Sequence, residues 1–361
     1  MYNLEQLDTI LKRFSAFWEG ELYDRGMLAV TCPAQNAPAP PEPASLEQKW
    51  LDSSYRFRRF QAECSGAVFL GDALPVFFPN LGPGVVANFM GGEYSLAENT
   101  VWFDRNPLVQ DVTALPDLSF DAQSPMWRVL ENDYAQARQE GKDACFTAFS
   151  DLGGSIDIAA ALVGAENLMM EFYDHPEEVH ALIERVDEAW LESFRLSCGL
   201  LEKHQKYYSS WLPLLREIPW YPLQADLCVM LSPDIFEEFV APSLQKFARA
   251  IGGHATYHLD GRGELRHLET ILSIPEIDTV EWVPDRYDGP YLDSIHPEFF
   301  PYLKRIQQSG RNLILRSVNP KLIDMLFEEI SPKGVYLTTY VPDEESANVL
   351  LRRMERCSLG R

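Results

Sequence analysis

His254-Ala255-Thr256-Tyr257-His258-Leu259-Asp260 runs straight into Gly261-Arg262-Gly263. Alternation along a strand sends His254, Thr256, His258 and Asp260 to one face, so an imidazole and a carboxylate emerge together where the chain leaves a sheet. Taken alone, His258 and Asp260 read as a structural hydrogen bond. The glycine turn argues for a site, because active sites on parallel sheets gather at the carboxyl ends of strands.

Outward from this stretch, short apolar runs alternate with helical patterns. Strands are expected near Ala73 to Phe78, Ala144 to Phe149, Tyr207 to Leu212, Gln224 to Met230, His254 to Leu259, Thr279 to Val283, Leu313 to Arg316 and Val335 to Thr338. Eight strands with helices between them close most naturally as an α/β (β/α)8 TIM barrel. Between the strands, Ser232-Pro233-Asp234 caps a helix carrying Phe236, Phe239, Val240, Leu244 and Phe247, with a kink expected at Pro242. Asp174-His175-Pro176-Glu177-Glu178 opens a long helix whose stripe runs from Val179 to Phe194, with His175 and His180 on its surface. Ser331-Pro332-Lys333-Gly334 leads at once into a strand and reads as a turn.

A chain of 361 residues with 46% hydrophobic content suits one domain of barrel size plus an extra segment. That segment is residues 1–65, read as an amino-terminal helical extension of two helices flanking the proline-rich arm from Pro33 to Pro43; residues 66–361 form the barrel.

Acidic side chains outnumber basic ones 54 to 31, for a formal charge of −23. Such a surface repels nucleic acid and anionic membranes, and it accommodates a neutral or cationic substrate more easily, although excess acid also serves solubility alone. Six scattered cysteines show no short metal-ligand spacing and no disulfide framework. With no signal layout and no long apolar run, a cytoplasmic protein is expected.

Several segments then fall in order: Asp151-Leu152-Gly153-Gly154, Ala161 to Met169, Tyr173 to Glu177, Asp226 with Leu231-Ser232-Pro233, Tyr257 to Gly261, Glu281-Trp282-Val283-Pro284 and Ser331 to Gly334. Together they resemble the uroporphyrinogen decarboxylase superfamily, which also holds the corrinoid-dependent methyltransferases. The likeness runs from about Asp72 to the carboxyl terminus and implies a barrel with its site at the strands' carboxyl ends.

The decarboxylase branch implies an arginine-rich grip and an aspartate at the first strand's mouth. Here Asn80 stands at that mouth, and it supplies no negative charge to pyrrole nitrogens. Arg56, Arg58 and Arg59 read as a solvated helix face or, alternatively, as an anion grip. The methyltransferase branch implies zinc held by a histidine, a cysteine two residues on and a distant cysteine. His258 matches the first, Asp260 stands at the second, and the third falls near Tyr340. Oxygen ligands make a harder zinc site. Glu281 is an additional oxygen ligand or a hydrogen-bond partner to a neighbouring strand.

The resemblance implies transfer of a methyl group between a small methylated substrate, an ether or amine, and a corrinoid carried by a partner protein. His258, oriented by Asp260, or a Lewis acid at that place, would stabilise charge on the departing atom, with Tyr340 beside them. Trp211, Trp282 and Tyr340 are candidate aromatic walls, or rim packing. Asp226 shares a face with Cys228 and is a candidate substrate contact, as are Asn80 and the backbone amide of Gly153. A homodimer is a further expectation. Two alternatives stay open: a carboxy-lyase, which needs inward arginines from among Arg262, Arg286 and Arg316, and a binding paralogue whose catalytic ligands have decayed.

Overall fold

The computed structural model describes residues 4–141, 144–284 and 292–358. Its strands are β1 (Met27–Pro33), β2 (Ala67–Gly71), β3 (Val76–Phe77), β4 (Ser95–Leu96), β5 (Val101–Trp102), β6 (Phe146–Thr147), β7 (Tyr221–Leu223), β8 (Ala255–Asp260), β9 (Ile277–Val283), β10 (Asn312–Leu315) and β11 (Val335–Tyr340). One sheet runs β2-β1-β11-β10-β9-β8-β7. All its neighbours pair in parallel except β2, which lies antiparallel on β1. β3 and β6 form a separate parallel pair, and β4 and β5 an antiparallel one. The architecture is therefore mixed α/β around a mostly parallel central sheet. Every residue of β10 is buried, as expected of a parallel strand covered on both faces.

Two expected strands differ. Tyr207 to Leu212 forms only an isolated antiparallel bridge between Tyr208 and Arg216. There Ser210 Oγ accepts from Leu212 N at 3.1 Å, a local turn that competes with a ladder. Gln224 to Met230 is not a strand either: the strand ends at Leu223, and Asp226–Met230 is a 3-10 turn. The first sixty residues also hold more than two helices and an arm, because β1 is an interior strand of the main sheet.

The helices follow their sequence signals. Pro176–Leu201 buries Val179, Leu182, Ile183, Val186, Trp190 and Phe194, and leaves His175 and His180 half exposed. Ser232 Oγ accepts from Ile235 N at 3.3 Å. Past it, a π-helical turn at Phe236–Val240 absorbs the disturbance at Pro242 before Ala241–Ala250 continues as α-helix. Ser331 to Gly334 is a turn, with Gly334 at a φ of 63°. A single large core reaches from Ile10 to Met354. Among the described residues no helix is long and apolar enough to cross a membrane.

Candidate active site

Pairing between β8 and β9 sets His258 opposite Glu281. Neighbours in register share a face of the sheet, so the imidazole reaches the carboxylate directly: His258 Nδ1 donates to Glu281 Oε2 at 2.6 Å. Glu281 is fully buried. Its second oxygen, Oε1, accepts from Arg316 Nη1 at 3.1 Å. Arg316 follows β10 two residues past Ile314, the register partner of Glu281, so it emerges on the same face.

Asp260 lies on the His258 face of β8, and Asp226 enters from the 3-10 turn after β7. One ligand atom from each of Asp226, His258 and Asp260 lies within 4.8 Å of the others. Gly261, at a φ of 89°, turns the chain away directly behind Asp260.

This acidic surrounding governs protonation. Burial opposes charging of His258, but Glu281, Asp226 and Asp260 outweigh it, and its pKa is pushed up to about 10. Burial raises Glu281, yet His258 and Arg316 prevail and hold it below the ordinary glutamate value. Asp226 is exposed at the rim, yet desolvation by the surrounding walls raises its carboxyl above the ordinary aspartate value, with the His258 charge opposing. Burial also raises Asp151, to about 6, with the Asp226 charge adding to it and the Gly153 amide and His258 opposing.

The side chains fit a zinc ion. His258 Nδ1 is anchored by a carboxylate, which fixes the ring and leaves Nε2 for a metal, the usual support of a metal-bound histidine. One imidazole and two carboxylates make a three-ligand set with an open position, as catalytic zinc has, and bonds of ~2.0–2.2 Å would draw the ligand atoms together. Glu281 stands behind the histidine with both oxygens engaged, as the hydrogen-bond partner to a neighbouring strand that was the alternative to a ligand role.

Other expected residues divide. Trp211 joins the site, edge-on to the His258 ring at 5.9 Å. Asn80 closes its own loop, with Oδ1 accepting from Gly82 N at 2.9 Å. The Gly153 amide donates to Asp151 Oδ1 at 3.0 Å and is thereby engaged within the fold, while its carbonyl accepts from Trp190 Nε1 at 3.0 Å. Trp282 lies on the face of β9 opposite Glu281, buried against Phe299 with ring centroids 5.0 Å apart. Tyr340 ends β11 with 64% of its surface exposed. Cys228 is buried, with Sγ 4.0 Å from Tyr257 Oη.

Of the three arginines that a carboxylate grip would draw on, two are among the described residues. Arg316 is tied to Glu281, and Arg262 packs over Phe299 beside Glu298. Arg286 lies outside the described residues. Arg56 is no part of a solvated face: it is buried, donating to Asp133 Oδ2 at 2.6 Å and to the Asn80 carbonyl at 2.7 Å.

Three acids were not singled out in the sequence. Asp151 stands beside the site, at the head of the Asp-Leu-Gly-Gly segment. Glu264, fully buried, accepts from Tyr257 Oη at 3.1 Å, while its other oxygen has no partner. Asp157 grips the turn that carries Asp226. Asp157 follows Gly153-Gly154 in the first turn of a helix, but nothing in the sequence says that it reaches residues 226 and 227.

No family model matches the sequence, and no curated protein matches it. Among solved structures, the chain is similar to a methyltransferase from Methanosarcina mazei, with a TM-score of 0.58 over 98% of this chain and 99% of that one. At 15% sequence identity, that likeness is one of fold.

Proposed function

We propose that this chain is a methyltransferase that moves a methyl group between a small methylated ether or amine and a corrinoid carried by a separate protein. The reading rests on His258 set among Asp226, Asp260 and Glu281, in a fold that follows a methyltransferase over nearly its whole length. The proposal includes closure of the strands into a (β/α)8 barrel. The parallel β3 and β6 pair and the bond from Phe149 N to Ser209 O at 2.9 Å support that closure.

In this reading Asp226, Asp260 and His258 Nε2 hold zinc, and the ion when bound supplies Lewis acidity to the departing oxygen or nitrogen. Glu281 keeps the His258 ring in one orientation and one tautomer. Arg316 balances the Glu281 charge, so the carboxylate does not draw the ring's partner proton away. Trp211 presents an apolar wall beside the ring and keeps water from that side. Without metal, the imidazolium of His258 is itself placed to give its Nε2 proton to the leaving atom.

The test is metal analysis of the purified protein by mass spectrometry, with His258→Ala and Asp226→Ala beside it. Transfer of methyl groups from a panel of methylamines and methyl ethers to reduced cobalamin is followed in parallel by visible absorbance. Stoichiometric zinc lost in both variants, together with methyl transfer, supports the proposal. Active protein without zinc removes the metal and leaves His258 as proton donor. Absence of transfer from every substrate on the panel overturns the methyltransferase reading.

A further inference from the structure

We infer that Asp157, outside the ligand set, is a positioning residue that holds Asp226 in place for the metal; the inference rests on the zinc reading above. The Asp226 carboxylate makes no hydrogen bond to any described residue, so its placement depends on the backbone beneath it. That backbone is the start of the 3-10 turn Asp226–Met230, whose leading amides have no acceptor within the turn. Asp157 supplies both acceptors: Oδ1 takes Leu227 N at 2.7 Å and Oδ2 takes Asp226 N at 3.1 Å.

Asp157 is itself held firmly. It sits in the first turn of the helix Ser155–Val163, capped by Gly154. A Cβ on Gly154 would stand 2.1 Å from the carbonyl oxygen of Gln224 and 2.5 Å from Asp157 Oδ2. Only a hydrogen fits there, and the helix start is pressed against the segment that leads from β7 into the turn. The helix thus fixes a carboxylate under two successive amides, and those amides fix the direction of the Asp226 side chain. Groups that orient a metal ligand commonly change affinity by about 10–100-fold when removed.

Zinc affinity is measured by competition with a chromophoric chelator for the wild type, Asp157→Ala, Asp157→Asn, Asp226→Ala and the Asp157→Ala/Asp226→Ala double variant. Melting of each metal-free protein is recorded alongside. Asp157→Ala is expected to bind zinc about 10–100-fold more weakly. Asp157→Asn, which keeps one acceptor oxygen, should lose less. The double variant should bind no more weakly than Asp226→Ala alone, because Asp157 acts through Asp226. Wild-type affinity in Asp157→Ala, or losses that simply add in the double variant, would overturn the inference while the zinc reading stands. A wild-type protein that takes up no zinc overturns both, and the first titration alone distinguishes that case.

Discussion

Glu281 divides its two oxygens between His258 Nδ1, at 2.6 Å, and Arg316 Nη1, at 3.1 Å. A buried carboxylate is thereby flanked by two cations whenever His258 carries its proton, and the imidazole is clamped in a single tautomer. The arrangement turns one strand pairing into an oriented imidazole, and its electrostatics are open to direct measurement.

In the metal-free protein the His258 proton is held up to about 10, above the ordinary histidine value of ~6.5. The stability it lends is complete below pH ~6.5 and is lost as pH climbs through about 10. Glu281→Gln should flatten the fall of Tm across that window and lower the His258 pKa, read from its ring resonances by NMR. A His258 titration left unchanged in Glu281→Gln contradicts the assignment. Zinc bound at Nε2, as proposed, would displace a proton from the imidazolium, so wild-type zinc affinity should rise about tenfold per pH unit between pH ~7 and ~9.

Asp151 shifts in the same direction as His258 but for a different reason and in a lower pH window. Its carboxyl, raised to about 6 chiefly by burial, is neutral in the fold where the unfolded chain would already be ionised. The native state therefore loses stability as pH rises from ~4 through 6, and is flat above. Asp151→Asn retains an acceptor for the Gly153 amide and should raise Tm at pH 7 while leaving it nearly unchanged at pH 4. Equal shifts at both values would show that burial of the charge is not what matters there.

Trp282 and Tyr340, both expected at the mouth, should part company on substitution. Trp282→Ala removes a buried indole packed on Phe299 and should cost about 3–5 kcal/mol in chemical denaturation. Zinc affinity should hold in the folded fraction. Tyr340→Ala, at an exposed strand end, should stay within ~0.5 kcal/mol of wild type.

Much of the sheet was legible because β8, β9, β10 and β11 are apolar runs with glycine or proline at their ends. His258 and Glu281 both lay on those runs, and so were named. β1 was missed because Met27–Pro33 leads directly into the proline-rich arm, whose composition dominates any local reading. The strand expected at Gln224 was displaced because β7 is short and carries Pro222, a residue that local propensity assigns elsewhere. Trp282 was misplaced by parity alone: beside Glu281 in sequence, it must face the other side of the sheet. Arg56 looked like surface because its partner Asp133 is far along the chain, and no local pattern announces a buried ion pair. Asp157 was hidden for the same reason, since its partners are the amides of residues 226 and 227.

Met27 pairs with Tyr336, a strand partner more than three hundred residues further along the sequence. On the ribosome, the sheet's first parallel strand therefore emerges long before its neighbour exists, with only β2 available to cover one edge. Its remaining row of amides and carbonyls stays open until Val335–Tyr340 has been made, so closing that seam must join strands that lie far apart in sequence, a slow kind of contact to form.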